Sequence, residues 1–229
     1  MSGISPREVW FIRHGESVAN AGGRTMEASS YELTELGFRQ AEQIASALQH
    51  EPDLIIHSPY TRARQTALPT IQRYRNTPTA EWPVQEVQYL DPAKCVGTTQ
   101  DERRAMSYEY WNRCDPEHTE PDAESFVAFI HRVKQALTGF SQRKERRIFV
   151  FSHGQFMSAI AWLVLSRPAF LDHLAMRRFY QFIHGYSVPN GSVLPVFHHP
   201  DGALSLGGLW LPEGVESPEA NLAGGLAGL

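Results

Sequence analysis

Cysteine is almost missing from this chain of 229 residues: Cys95 and Cys114 are the two present, and they lack Cys-x-x-Cys spacing. That scarcity argues against a disulfide framework or a thiolate zinc site and leaves two free thiols as the expectation. An excess of one charge is missing too, since 21 Lys and Arg offset most of 25 Asp and Glu for a formal net charge of -4, with no basic run. Such a balance carries no electrostatic footprint for nucleic acid or an anionic membrane, so neither is expected as a partner. No apolar stretch is long enough to span a bilayer, and Met1 to Glu8 lack the basic-then-apolar order of a signal peptide. A cytoplasmic protein is expected, and nothing in the composition defines an oligomeric state.

What the chain does have is apolar mass, 42% hydrophobic and 11% aromatic residues, enough for a core without staples. Its order suggests one domain over residues 1–211, a lid inserted at about 91–123, and a flexible tail at 212–229 rich in Gly and Ala. Val9 to Ile12, Leu54 to His57 and Arg147 to Phe151 are short runs of β-formers that read as buried strands, and Val84 to Val87 reads as a shorter one. Between them lie helical patterns. One opens at Thr34, a good N-cap, and buries Ala41, Ile44, Ala45 and Leu48; another runs from Ser58-Pro59-Tyr60-Thr61 to about Tyr74 with a kink at Pro69. Phe126, Phe129, Ile130, Val133, Leu137 and Phe140 recur at helical spacing and belong to the core. Helices are also expected at Gln100 to Arg113, Gln155 to Leu165 and Pro168 to about His184, with a late hairpin from Ser192 to Phe197 and Ala203 to Trp210. Strands alternating with helices predict an α/β fold, a mostly parallel central sheet covered by helices on both faces.

Three of these strands end in polar residues: Arg13-His14-Gly15-Glu16, Ser58-Pro59-Tyr60-Thr61-Arg62 and Ser152-His153-Gly154. Strand ends are where open α/β sheets place ligands. Should Arg13, His14, Arg62 and His153 converge, two guanidinium forks and two imidazoles would suit a phosphoryl group, one imidazole attacking phosphorus as the neutral ring. With such cations compensating the charge, no metal and no cofactor are required.

Arg13-His14-Gly15-Glu16-Ser17 with Asn20 resembles the defining motif of the histidine phosphatase superfamily, which includes the cofactor-dependent phosphoglycerate mutases. Leu33-Thr34-Glu35-Leu36-Gly37, Ser58 to Ala67, Ser152-His153-Gly154 and Asn190-Gly191-Ser192-Val193 resemble later family motifs in the same order. The resemblance implies a phosphoglycerate-mutase-like fold with His14 as nucleophile, and Arg13, Arg62 and His153 holding the transferring oxygens. It implies a general acid and base on the third strand, placed at Glu86. Asn20, Ser58 and Gly154 are further candidates for contact with phosphate or substrate. His14 should attack with its other ring nitrogen bonded to a backbone carbonyl near Gly15, fixing the tautomer.

Tyr89-Leu90-Asp91-Pro92 departs from the family's Gly-x-Trp-Glu-Gly, and no long mutase-type insert is present, which favours hydrolysis of a small phosphorylated substrate over return transfer. The alternatives are a phosphoglycerate mutase and a non-catalytic phosphate-binding regulator. Arg64, two residues past Arg62, should point to solvent. His198 and His199 read as surface residues, and Lys94, Arg103, Arg104 and Arg113 as solvated lid charges more readily than as a second anion grip.

Overall fold

The computed structural model describes residues 6–217. Part of the expected tail, 218–229, lies outside them. The elements run β1 (Arg7–Arg13), α1 (Glu35–Ala47), β2 (Leu54–His57), α2 (Thr61–Arg73), β3 (Thr79–Glu81), α3 (Pro92–Cys95), α4 (Gln100–Arg113), α5 (Phe126–Ser141), β4 (Arg147–Ser152), α6 (Gly154–Ser166), α7 (His173–Gly185), β5 (Val193–His198) and β6 (Leu204–Leu206).

The strands form one mixed sheet in the order β3-β2-β4-β1-β5-β6. β3, β2, β4 and β1 pair in parallel, while β5 and β6 return antiparallel on the β1 side. Side chains alternate across the pleat, so the apolar runs feed two cores. Val9 and Phe11, Leu54 and Ile56, Ile148 and Val150 pack with α5, α6 and α7 on one face. Ile12, Ile55, Phe149 and Phe151 pack with Ile44 of α1, the C-cap residue Leu48 that follows it and Ala67 of α2 on the other. Helices thus cover both faces.

Caps set the helix starts. Thr34 accepts from the Gly37 amide, Thr99 and Glu102 form a reciprocal capping box, and Ser125 accepts from Ala128. Each satisfies amides that the first turn leaves without partners.

The structure departs from the sequence reading in four places. The third strand is Thr79–Glu81 and residues 84–87 are irregular, because Pro83 has no N–H to continue the ladder. The helix after Pro168 begins at His173: α6 ends on Arg167 in the left-handed region (φ 43°), and Asp172 caps α7 by accepting from Ala175. The packed chain runs past residue 211, since Val215 joins the core beside Ile44 and Gln40 donates to the Glu216 carbonyl. His198 is buried, being on the covered face of β5, and His199 bonds Ser205.

Candidate active site

β1 and β4 are hydrogen-bonded neighbours with Arg13 opposite Ser152, so His14 and His153 leave the sheet side by side. The His14 amide donates to the Ser152 carbonyl at 3.0 Å, and the two imidazole centroids lie 5.0 Å apart. β2 flanks β4 and delivers Ser58, whose amide donates to the Phe151 carbonyl, and then Arg62 in the first turn of α2. Parallel neighbouring strands place all three motifs at one end of the sheet.

His14 is held at both ring nitrogens. Its Nδ1 lies 2.6 Å from the Gly15 carbonyl, which can only accept, so Nδ1 carries the proton. Nε2 is left with its lone pair, and Arg62 Nε donates to it at 3.0 Å. Burial pushes the His14 pKa well below the usual imidazole value, helped by the charges of Arg62 and Arg13 and opposed by the Gly15 bond. The ring is therefore neutral at physiological pH.

The backbone that holds this ring is itself clamped. Asn190, buried, donates through Nδ2 to the His14 and Gly15 carbonyls at 3.0 and 3.3 Å, while Thr66 Oγ1 accepts from the Gly15 amide at 3.0 Å and donates to the Arg62 carbonyl. At Gly15 an added Cβ would stand 2.5 Å from the Gly37 carbonyl oxygen, and at Gly37 one would stand 2.0 Å from that of Glu16. These two chain segments approach closer than any side chain permits.

Arg62 is 6% exposed, donates Nη1 to the Ala28 carbonyl at 2.8 Å and lies 5.0 and 5.5 Å from the Tyr60 and Tyr31 ring centres. Burial pushes its pKa down to about 10, with Glu86 the strongest opposing influence, so it stays charged. Arg13 donates Nη1 to the Val188 carbonyl and passes close to Gly154, where a Cβ would meet its Nε at 3.3 Å. Glu86 arrives on the loop after β3, anchored where Ser152 Oγ donates to the Val84 carbonyl. Its carboxylate accepts from the backbone amides of Gln155 and Phe156 at 3.0 and 3.1 Å, the first turn of α6.

Arg13, His14, Asn20, Arg62, Glu86 and Gly154 line one cavity of about 800 Å³. Asn20 Oδ1 accepts from Ser17 at 2.8 Å, so its Nδ2 is the donor it has left for a ligand. Ser58 does not join them. It is fully buried, its Oγ accepts from the Tyr60 amide and bonds His153 Nε2 at 2.8 Å. His153 stands behind His14, fully buried, its pKa pushed well down by burial and then by Arg62. Arg64 faces solvent as expected. Arg103 and Arg104 line the cavity, whereas Arg113 pairs with Glu109 and Lys94 with Glu120 outside it. Among the described residues no group of three His, Cys, Asp or Glu is placed to hold a metal.

A neutral imidazole facing a guanidinium at the sheet's strand ends, on a six-stranded sheet with this order, defines a phosphoryl-handling protein of the phosphoglycerate-mutase-like fold. The description of the histidine phosphatase superfamily (branch 1) matches residues 9–179, and the chain belongs to that superfamily. An adenosylcobalamin/alpha-ribazole phosphatase of Salmonella typhi is 28% identical over 164 residues, 70% of this chain and 81% of that protein. A metal-independent phosphoserine phosphatase of Arabidopsis thaliana is 28% identical over 159 residues, 67% of this chain and 66% of its own. The solved structure of a mycobacterial hydrolase superposes with a TM-score of 0.71 at 21% identity, covering 97% of this chain and 98% of that one. By that membership the protein is an enzyme of the histidine phosphatase superfamily, and its relatives include proteins named as phosphatases and as probable phosphoglycerate mutases. No helix among the described residues is long and apolar enough to cross a membrane.

Proposed function

We propose that the protein hydrolyses small phosphomonoesters without a metal, through a phosphohistidine on His14. The observation that carries this reading is the tautomer of His14: Nδ1 is committed to the Gly15 carbonyl, and the Nε2 lone pair faces the cavity's guanidinium. A phosphoryl group entering the cavity takes the Arg62 donors for its own oxygens, which releases Nε2 to attack phosphorus. The N–P bond forms as the ester P–O bond breaks, and Glu86, having taken up the proton of the entering phosphomonoester monoanion, passes it to the departing alkoxide. Water then attacks the phosphohistidine, Glu86 recovers a proton from it, and inorganic phosphate leaves with neutral His14 restored. Arg13, Arg62 and the Asn20 amide offset the charge on the equatorial oxygens, and Gly154 lets Arg13 lie against the backbone at the start of α6. His153, its Nε2 bonded to Ser58 and its buried Nδ1 without a partner among the described residues, is a further donor for the phosphoryl group beside His14.

Metal independence follows from the cations already present, and the name of the Arabidopsis relative is in keeping with it. The site opens to water at a rim where Tyr108 is 61% exposed. Water access directs the intermediate to hydrolysis and not to return transfer, and the relatives named as phosphatases support the same outcome.

The test is hydrolysis of a generic aryl phosphate with chelator present, by wild type and His14→Ala, with trapping of acid-labile, base-stable phosphate on the protein. Turnover and trapped phosphate in the wild type, both lost in the variant, are expected. Equal rates in the two proteins, or a rate abolished by chelator, would sink the assignment. Isomerisation of phosphoglycerate after priming with a bisphosphoglycerate would place the protein among the mutases instead.

A further inference from the structure

The phosphate cradle occupies one end of a cavity of about 800 Å³, a volume in the range that takes a whole drug-sized ligand. What lines the remainder is informative. From α4, Gln100, Arg103, Arg104, Ser107, Tyr108 and Trp111 face it, the spacing of a single helix stripe. Tyr180, Ile183 and His184 of α7 face it from across, again at same-side spacing. Trp111 and Tyr180 stack with centroids 5.3 Å apart and planes 19° from parallel, and His184 meets Tyr180 edge-on at 4.3 Å. Tyr89 packs on Trp111 at 5.2 Å. Tyr108 is different: it is 61% exposed, it stands at the rim of this aromatic wall, and no ring of the described residues packs on it.

Neutral oxygens position Arg103. Arg103 Nη1 donates to Thr25 Oγ1, Thr98 Oγ1 and the Thr98 carbonyl, all within 3.0 Å. Arg104 pairs with Asp101 at 2.6 Å in a pair more than three-quarters exposed, where solvent screens it. A flat ring would gain edge and face contacts with exposed Tyr108 and half-buried Tyr180.

We infer that the alcohol half of the substrate carries a flat aromatic ring system. This rests on the phosphatase reading for the position of the phosphate. The cradle fixes the phosphoryl end, the ester linkage runs past Glu86, and the ring lies between the α4 and α7 walls with Tyr108 closing over it.

The experiment compares kcat/KM for 2-phenylethyl phosphate, ethyl phosphate and 3-phosphoglycerate. The two simple esters release alcohols of similar acidity, so their ratio reports contact with the ring and not leaving-group chemistry. The ring-bearing ester should be favoured by about tenfold, within reach of one good aromatic contact. Tyr108→Ala should cut that ratio by about threefold or more, and Tyr108→Phe should keep it; Tyr108 is exposed, so neither change threatens the core. A ratio near one, a ratio untouched by Tyr108→Ala, or preference for 3-phosphoglycerate overturns the inference. Binding of 2-phenylethylphosphonate against ethylphosphonate, read by calorimetry, separates the two levels of the argument. Selective binding without turnover of any ester keeps the ring site and defeats the phosphatase reading, whereas turnover without selectivity does the reverse.

Discussion

Replacing Asn190 with leucine removes a clamp on the nucleophile without changing the volume much. Its Nδ2 donates to the carbonyls of His14 and Gly15, groups that can only accept, so the amide orientation is fixed by chemistry. Each carbonyl keeps one other donor in the variant: the Gly191 amide for His14, and His14 Nδ1 for Gly15. The loss is then about two net hydrogen bonds and no orphaned acceptor, or roughly 2 kcal/mol. With a urea m-value of about 2.5 kcal/mol/M, the unfolding midpoint should fall by roughly 0.8 M. Activity should fall with it, because the Gly15 carbonyl that Asn190 steadies is the one that aims His14. Asn190→Asp should be worse at pH 7, since it sets acceptor oxygens against two carbonyl oxygens in a buried place. A leucine variant within about 0.3 kcal/mol of wild type, less than one net hydrogen bond, or an aspartate variant more stable than the leucine one, would refute the clamp.

Three buried imidazoles give the protein an acid-sensitive fold. His14 and His153 have pKa values pushed well down by burial, and His198 is lowered to about 4 by burial and the charge of Arg7. In the unfolded chain each takes up its proton near pH 6.5, so the unfolded state binds more protons below that value and stability declines as pH falls from about 6.5 toward 4. His198→Leu should flatten this decline in chemical denaturation measured across that window; an unchanged slope would contradict it. Arg62→Lys keeps the charge but loses the fork that reaches both His14 and the Ala28 carbonyl, and should lower kcat by about a hundredfold or more in steady-state assays. Gly37→Ala sets a methyl group 2.0 Å from the Glu16 carbonyl oxygen and should cost about 3 kcal/mol in thermal or urea unfolding, the upper part of the overpacking range.

Residues whose roles depend on local pattern were legible in the sequence. Val9 to Ile12 and Arg147 to Phe151 are uninterrupted apolar runs, so the strand ends that present His14 and His153 could be read directly, as could Thr34 from the pattern after it. Contacts made across long stretches of chain could not. Asn190 is 176 residues from His14, and Thr66 is 51 from Gly15. Asn190 was visible only as part of a motif, with nothing in the pattern to show what its side chain bonds. The partner of Ser58 was hidden for a related reason: a hydroxyl near a site arginine has more than one possible partner, and the packing of β2 against β4 turns it to His153. Glu86 lines the cavity although residues 84–87 form no strand. The Ser152 bond to Val84 does the positioning that a ladder would otherwise provide.

The bonds of Arg103 reach further than its own helix. Through Thr25 and Thr98, and through the Thr25 amide and carbonyl bonded to Thr98 and Gly97, the start of α4 is tied to the segment that follows the His14 motif. Three residues past Thr25, the Ala28 carbonyl holds the Arg62 guanidinium. Swinging α4 away from the cavity must either break that knot or pull residues 25–28 along with it. The wall against which a substrate's alcohol half would rest and the cation beneath its phosphate are therefore linked by one short, continuous piece of chain, so displacement at one is transmitted to the other.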